Sequence, residues 1–497
     1  MLCLKTRWPW IGLLAAACAI GMASSSTGSE PTKRPMNVLL IAVDDLRPQL
    51  GCYGHTKMVT PNLDRLAAEG RLFEHHYVQV PTCGASRCAM LTGRYPTATA
   101  AYENGAFATV PRDEGRQPTS MPEFFRRNGY RTVSIGKISH EPSGHRSDGK
   151  LELAHAWDAA GMPSGKWGDA WSAFFAYADG STRVPKQSQV TERGEVDDKG
   201  YPDGLIADEA IAELGRLKNQ PFFLAVGFIK PHLPFNAPAK YWDLYDEQTI
   251  SLAANPSPPK HVDPKISLHN SGEMLGQYAG FATPGQVSHA EARRLRHAYF
   301  ACVSYVDAQI GRVLNELDRL GLRDDTIVVV WGDHGWHLGE QGIWGKHTLH
   351  EVALRSPLLV RTPQMAMAGV PTAGIVEAID IFPTLAELCG VKPPDTLDGR
   401  SFAGQLRDPA AEGKAAAYGF WARGRAHSVR TPEYRLTQWT VADDPTKVAQ
   451  IELYDHRADL DETVNLAAEH AAVVESLRMQ LREHAPLLKQ RAQDGER

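Results

Sequence analysis

Four apolar runs along the chain end abruptly in polar clusters. Asn37–Val43 (NVLLIAV) shows no alternation of apolar and polar residues and stops at Asp44-Asp45. Arg131–Ile135 leads into Gly136-Lys137 and then His140, and Pro221–Ile229 (PFFLAVGFI) into Lys230-Pro231-His232-Leu233-Pro234. Thr326–Trp331 (TIVVVW) ends at Gly332-Asp333-His334-Gly335. An apolar run without alternation reads as a strand buried on both faces, and the repeat of run, turn and helix predicts an α/β fold with a mostly parallel sheet. In such a sheet ligands bind outside the carboxyl ends of the strands. An acid or a base after one strand is ordinarily a cap or a solvated side chain; four polar clusters at one edge predict a site.

The connecting segments carry their own signals. Thr60-Pro61 predicts a helix start, Leu63, Leu66 and Ala67 its apolar stripe and Gly70 its stop. Leu295–Leu320 predicts a long amphipathic helix ending at Gly321. Residues 148–199 and 241–285 are rich in Gly, Pro and polar residues and read as insertions over the site, where substrate choice is expected. From about Ala415 the pattern changes to short strands, Ala417–Ala422, His427–Arg430, Tyr434–Trp439 and Ile451–Asp455, followed by a final helix. The expected organisation is a signal peptide over 1–23, a tether over 24–35, a catalytic domain over 36–410 and a C-terminal subdomain over 411–497.

The signal peptide rests on Lys5 and Arg7, the apolar run Ile11–Gly21 and the small-residue cleavage site Gly21-Met22-Ala23. Export to the periplasm or exterior is the expectation, with no transmembrane anchor. Cys18 after Ala15-Ala16-Ala17 is a poor lipid-attachment site. Composition narrows the class. With 53 Lys+Arg against 58 Asp+Glu the net charge is -5, which argues against a nucleic-acid-binding surface. Removing Cys3 and Cys18 from the seven cysteines leaves Cys52, Cys83, Cys88, Cys302 and Cys389, an odd number, so at least one is unpaired or modified.

Cys83 lies where the most chemistry is concentrated. Pro81–Gly93 (PTCGASRCAMLTG) predicts a turn opening a short helix with Cys83 at its start and Gly93 at its stop. Backbone N–H groups and the dipole at that end favour an anion, and Arg87 adds a forked cation one turn on. The same environment would also lower a cysteine pKa, so an oxyanion site and an activated thiolate are both open on these residues alone.

Cys83-Gly84-Ala85-Ser86-Arg87 followed by Leu91-Thr92-Gly93-Arg94 resembles the sulfatase signature C-x-P/A-S-R-x-x-L-x-T-G. NVLLIAVDDLRPQLGCYG, GKISH, KPHLPF and GDHGWHLGEQGIWGKHTLHE match the family in the same order, most like its iduronate-2-sulfatase branch. The departure is Ala85, where most members carry Pro. The resemblance implies the alkaline phosphatase superfamily fold: an α/β domain with a mostly parallel central sheet and helices on both faces, plus a small C-terminal α+β subdomain with an antiparallel sheet.

It also implies a chemistry. The family's cysteine, here Cys83, is converted by a maturation enzyme to formylglycine (3-oxoalanine), whose hydrate attacks sulfur with one hydroxyl and releases sulfate with the other. Asp44, Asp45, Asp333 and His334 would hold a calcium ion together with an oxygen on modified Cys83. Carboxylates are hard ligands suited to calcium, whereas imidazole suits softer metals, so His334 is open between the ion and the sulfate. Arg87 and Lys137 would hold diol and sulfate oxygens, His140 would assist proton removal, and His232 and Lys346 would sit at the leaving oxygen. Trp336, which follows the aspartate motif, reads either as a wall for a sugar ring or as core, and Lys230 and His347, which flank stronger candidates, as orienting or solvated. The implied reaction is hydrolysis of a sulfate ester on a sulfated saccharide such as a glycosaminoglycan. The alternatives are a phosphodiester or phosphonate monoester hydrolase of the same superfamily, and an inactive glycan-binding relative.

Overall fold

Strand register explains how the four polar clusters meet. The computed structural model describes residues 35–96, 99–113, 115, 117–268, 272–282 and 286–494. The expected signal peptide and residues 24–34 of the expected tether lie outside them. The central sheet has seven strands: β1 (Asn37–Val43), β2 (Arg71–Leu72), β3 (Arg131–Gly136), β4 (Ala159–Gly161), β5 (Phe222–Phe228), β6 (Thr326–Gly332) and β7 (Leu358–Arg361), in the order β2-β7-β6-β1-β5-β3-β4. β1, β3, β4, β5 and β6 run parallel, and β7 runs antiparallel to both its neighbours. Val43 pairs with both Phe228 and Gly332, and Gly136 pairs with Gly227. Asp44, Asp333, Lys137 and the 229–234 loop therefore leave the sheet side by side.

The absence of alternation in β1 has the expected cause. Leu39, Ile41 and Val43 pack into one hydrophobic core with α4 (Pro202–Leu217) and α5 (His289–Arg319). Val38, Leu40 and Ala42 pack into a second core with α2 (Cys83–Thr92), α3 (Met121–Arg127) and α6 (Ile381–Leu388). Helices thus cover both faces. At the edge, the Lys137 backbone crosses so close to Gly227 that a Cβ there would lie 2.1 Å from the Lys137 carbonyl oxygen. Only glycine permits this approach, which carries the Lys137 side chain over the end of β1.

α1 (Pro61–Glu69) falls where the sequence predicts it, with Thr60 before it and Gly70 after. α5 begins at His289, earlier than the expected Leu295, because Ser288 and Glu291 form a capping box ahead of the apolar stripe. The C-terminal strands form an antiparallel sheet, β8 (Ala417–Trp421), β9 (Ala426–Arg430), β10 (Tyr434–Val441) and β11 (Asp444–Asp455), in that order. β11 is longer than the expected Ile451–Asp455; its first half is polar and exposed, so it carries no strand pattern. The C-terminal helix α7 (Ala471–Asp494) covers the sheet through Val474, Leu477 and Leu481 against Val429, Leu436 and Leu453. From Pro35 onward the chain packs as one compact unit. Among the described residues no helix is long and apolar enough to cross a membrane.

Candidate functional site

Cys83 opens α2, with Thr82 extended before it and Gly93 in the left-handed region closing it. The loop Asn104 side chain accepts from the Gly84 N–H at 3.0 Å, and a Cβ on Gly84 would lie 2.3 Å from the Asn104 carbonyl oxygen. The turn is thus clamped against its neighbour. Cys83 Sγ lies 3.3 Å from His334 Nε2 and 3.2 Å from Lys346 Nζ. One ligand atom from each of Asp44, Asp45, Cys83 and His334 falls within 4.8 Å of the others. Asp333 joins them through its two oxygens, accepting from the Asp45 N–H at 3.0 Å and from Arg87 Nε at 2.8 Å. Lys137 Nζ donates to Asp44 Oδ2 at 2.6 Å and Lys346 Nζ to Asp45 Oδ1 at 3.0 Å. Arg87 also pairs with Asp44 and donates to the Lys137 carbonyl.

Each aspartate of this edge has a cationic neighbour, yet its hydrogen bonding is incomplete. Asp44 Oδ1 and Asp45 Oδ2 are buried yet accept no hydrogen bond. Burial would raise Asp44, but Lys137 and Arg87 hold it well below the usual carboxylate range. Burial pushes Asp45 up to about 7 although Lys346 opposes it. A buried carboxylate with an unused oxygen costs free energy unless a cation meets it. Hard oxygens from three aspartates around such orphaned atoms fit a divalent cation of the calcium type. The thiol itself is pushed well above its usual pKa, by burial first and then by the charge of Asp44. Burial and the Asp44 charge therefore disfavour an activated thiolate for the free thiol. The five cysteines among the described residues are all free.

His232 and His140 flank the cluster. His232 Nδ1 faces the Leu233 carbonyl at 2.8 Å, and its Nε2 lies 3.0 Å from Glu273 Oε1 and 3.9 Å from Asp45 Oδ2. A neutral imidazole has one N–H, and burial followed by the Lys346 charge lowers the His232 pKa, so its one proton goes to either the Leu233 carbonyl or Glu273. On the Glu273 side that N–H stands beside the cluster. His140 lies 5.7 Å from the ring of Trp171, and burial followed by the Lys137 charge lowers its pKa to about 3, so it stands as a neutral base.

Other expected residues sit differently. Trp336 is fully buried, with Lys346 Nζ 5.3 Å from its ring, and so has no free face for a sugar. Lys230 Nζ donates to the His232 and Pro234 carbonyls at 3.0 and 2.6 Å, which orients the His232 loop. His347 stacks on Trp421 at 4.7 Å and meets Thr82 Oγ1 at 3.2 Å. Glu273 escapes the sequence reading: it belongs to the expected insertion over 241–285 and reaches Lys346 at 3.3 Å, but no local pattern marks it. Trp171, from the other insertion, is 37% exposed beside His140 and stacks on Phe175. Its neighbour Phe174 lies 4.3 Å from Lys137 Nζ and 4.7 Å from the His232 ring.

A second group of possible metal ligands, Glu351, His456 and Glu462, lies where the C-terminal sheet meets the main domain. Here the protein supplies its own cation. Arg435 donates to Glu351 Oε2 at 2.5 Å and to Glu462 Oε1 at 2.7 Å, and His350 meets Glu462 Oε2 at 2.8 Å.

Residues 36–391 match the family model described as Sulfatase. The chain belongs to the sulfatase family. Residues 339–489 of this sulfatase also match the model for the C-terminal part of N-sulphoglucosamine sulphohydrolase. The sulfatase is 33% identical over 448 residues to iduronate 2-sulfatase of Homo sapiens, covering 80% of this chain and 76% of that one. It is 32% identical over 451 residues to a sulfatase of Formosa agariphila, covering 87% and 83%. In fold, it superposes with TM-score 0.76 and 24% identity on the phosphonate monoester hydrolase of Agrobacterium radiobacter, covering 92% and 96%. The alkaline phosphatase superfamily fold is thereby established, with sulfate ester hydrolysis as the family's reaction.

Proposed function

We propose that this sulfatase removes sulfate from a sulfated saccharide, in the manner of an iduronate-2-sulfatase acting on a 2-O-sulfated uronate. The reading rests on one observation: Cys83 meets Asp44, Asp45, His334 and Lys346 at a single buried point. The 33% identity to iduronate 2-sulfatase supports the choice of sugar. Formylglycine made from Cys83 would supply a hydrated aldehyde as nucleophile, which a serine could not replace for want of a second hydroxyl. Calcium held by Asp44, Asp45, Asp333 and His334, together with an oxygen on modified Cys83, would neutralise sulfate charge.

The chain's own residues do the rest. Arg87 and Lys137 bind the oxyanion. Neutral His140 takes a proton from the nucleophile. Lys346 polarises the leaving oxygen, and His232, supported by Glu273, returns the proton. Export through a signal peptide over residues 1–23, maturation by a formylglycine-generating enzyme and a subdomain boundary near residue 410 complete the proposal. Peptide mass spectrometry across Cys83, with turnover of defined sulfated disaccharides, tests it. Modified Cys83 with release of a 2-O-sulfate is expected. Faster hydrolysis of an aryl phosphonate than of an aryl sulfate would instead assign a phosphonate monoester hydrolase, and unmodified Cys83 in native protein a glycan-binding relative.

A further inference from the structure

A strip of rings runs from His232 across the first insertion and ends on an arginine. Phe175 lies 6.2 Å from the His232 ring and stacks on Trp171 at 6.1 Å, and the Arg183 guanidinium carbon lies 3.7 Å from its centroid. The local backbone fixes that contact. Ala176 bridges antiparallel to Thr182, and the Arg183 N–H donates to the Phe175 carbonyl at 3.1 Å. Phe175 and Arg183 are therefore cross-strand neighbours on one face of a short hairpin. The second insertion closes the other side. The Lys186 N–H donates to the Gln277 carbonyl at 2.8 Å and the Ala279 N–H to the Ser188 carbonyl at 2.9 Å, which holds the Tyr278 ring 5.6 Å from the same guanidinium.

What Arg183 lacks is an acid. Among the described residues its side chain forms no ion pair; it meets the two rings and stays half-buried. Arg193, the other arginine of the 148–199 insertion, is paired with Glu195 and Asp243. Glu273, the carboxylate at this edge, is engaged by His232 and Lys346. A guanidinium stacked on an aromatic face keeps its in-plane N–H fork for a planar anion. Its side-chain freedom is already spent on the rings, so two charge-assisted hydrogen bonds to a carboxylate form at little further entropic cost. The span indicates where that carboxylate sits. One aromatic ring separates His232 from Arg183, and a pyranose of similar size, with a hydrogen bond of about 3 Å at each end, covers the same distance.

We propose that Arg183 selects an acidic sugar, its guanidinium binding the carboxylate of the same uronate whose sulfate ester oxygen reaches His232. The proposal deepens the reading of the enzyme as a sulfatase of 2-O-sulfated uronates and rests on it for the ring that carries the sulfate. Arg183 sets specificity and takes no part in the transfer of sulfate.

The test measures sulfate release by the active full-length enzyme from an aryl iduronide 2-sulfate and from its methyl ester, which lacks the carboxylate charge. The unmutated enzyme should favour the acid in kcat/KM by about tenfold or more, with the difference in KM. Arg183→Met, which keeps the chain length and the packing on Phe175, should erase that preference by weakening the acid and not the ester. Arg183→Lys, which keeps the charge without the fork, should retain part of it. Turnover of 4-nitrophenyl sulfate reports that each variant is folded, and if Arg183→Met does not fold, a reduced preference in Arg183→Lys carries the test. Equal use of acid and ester by the unmutated enzyme, or an undiminished preference in the variants, would overturn the assignment of Arg183 alone. If 4-nitrophenyl sulfate is hydrolysed and neither iduronide is, the choice of substrate fails and the assignment falls with it.

Discussion

Two buried clusters of charge in this sulfatase look alike in composition and differ in what they lack. At the strand ends, Asp44, Asp45 and Asp333 meet Arg87, Lys137 and Lys346, yet Asp44 Oδ1 and Asp45 Oδ2 accept no hydrogen bond. At the foot of the C-terminal sheet, each oxygen of Glu351 and Glu462 is hydrogen-bonded, to Tyr77, Arg430, Arg435, His350, His456 or a backbone N–H. Both bring carboxylate and imidazole atoms within reach of a single ion. The second contains Arg435 and needs no metal. The first leaves two buried carboxylate oxygens without a hydrogen bond, and that incompleteness separates a site from a structural network.

The largest effect should come from Cys83→Ala. Loss of the nucleophile is expected to lower kcat on the order of 10⁶-fold while the melting temperature stays nearly constant. Retained turnover would break the comparison at its root, because the first cluster would then have no reacting group.

Chelation sharpens it next. Removing the divalent cation should abolish activity and destabilise the fold, by about 2.7 kcal/mol relative to a cation concentration a hundredfold above its Kd. Glu462→Gln should leave that cation-dependent shift intact. Without the cation, Asp45→Asn should be neutral or stabilising, because burial already drives Asp45 toward its uncharged form. Glu462→Gln should cost about 1–3 kcal/mol, since it weakens charged hydrogen bonds from Arg435, His350 and His456 while Arg435 keeps Glu351. Activity per folded molecule should survive it. Differential scanning calorimetry alongside initial rates separates these outcomes.

The C-terminal network also has a pH signature. Burial would raise Glu462, but Arg435 and its histidine hydrogen bonds hold it well below its usual range. Burial would lower His350, but its bond to Glu462 raises it. A depressed carboxyl stabilises above its unfolded pKa and loses that contribution as pH falls through the folded value. A raised histidine stabilises below its unfolded pKa and loses that contribution as pH rises through the folded value. The stability gap between the unmutated chain and Glu462→Gln should therefore be widest between about pH 4.3 and 6.5 and narrow on both sides. A gap independent of pH would show that the network does not titrate with folding.

The contrast between the clusters was only half legible in the sequence. Asp44, Lys137 and Asp333 each follow a strand whose unbroken apolar run marks it as central, so parallel register alone brings them together. Cys83 and Arg87 share one short helix and needed no long-range knowledge. The Glu462 network was illegible because its partners stand 27 and 112 residues apart in segments without periodicity. Glu273 was illegible for a related reason: the path of an irregular insertion decides whether its carboxylate points inward. The start of α5 was readable, since Ser288 and Glu291 have capping-box spacing, but the apolar stripe begins later and drew the boundary with it.

The smallest expected effect concerns which tryptophan meets the sugar. Trp336 follows the aspartate motif but is fully buried under Lys346, whereas Trp171 keeps 37% of its surface and stands beside His140. Its ring is held by stacking on Phe175 and by a 2.8 Å hydrogen bond from Nε1 to Glu141, so little entropy is lost when a sugar packs against it. An aromatic platform of this kind contributes about 1 kcal/mol, so Trp171→Ala should raise KM for a saccharide sulfate about fivefold with kcat unchanged. Trp171→Phe should restore most of the loss. A fall in kcat at constant KM would mean that Trp171 acts through His140, and an unchanged KM would return the sugar wall to some other surface.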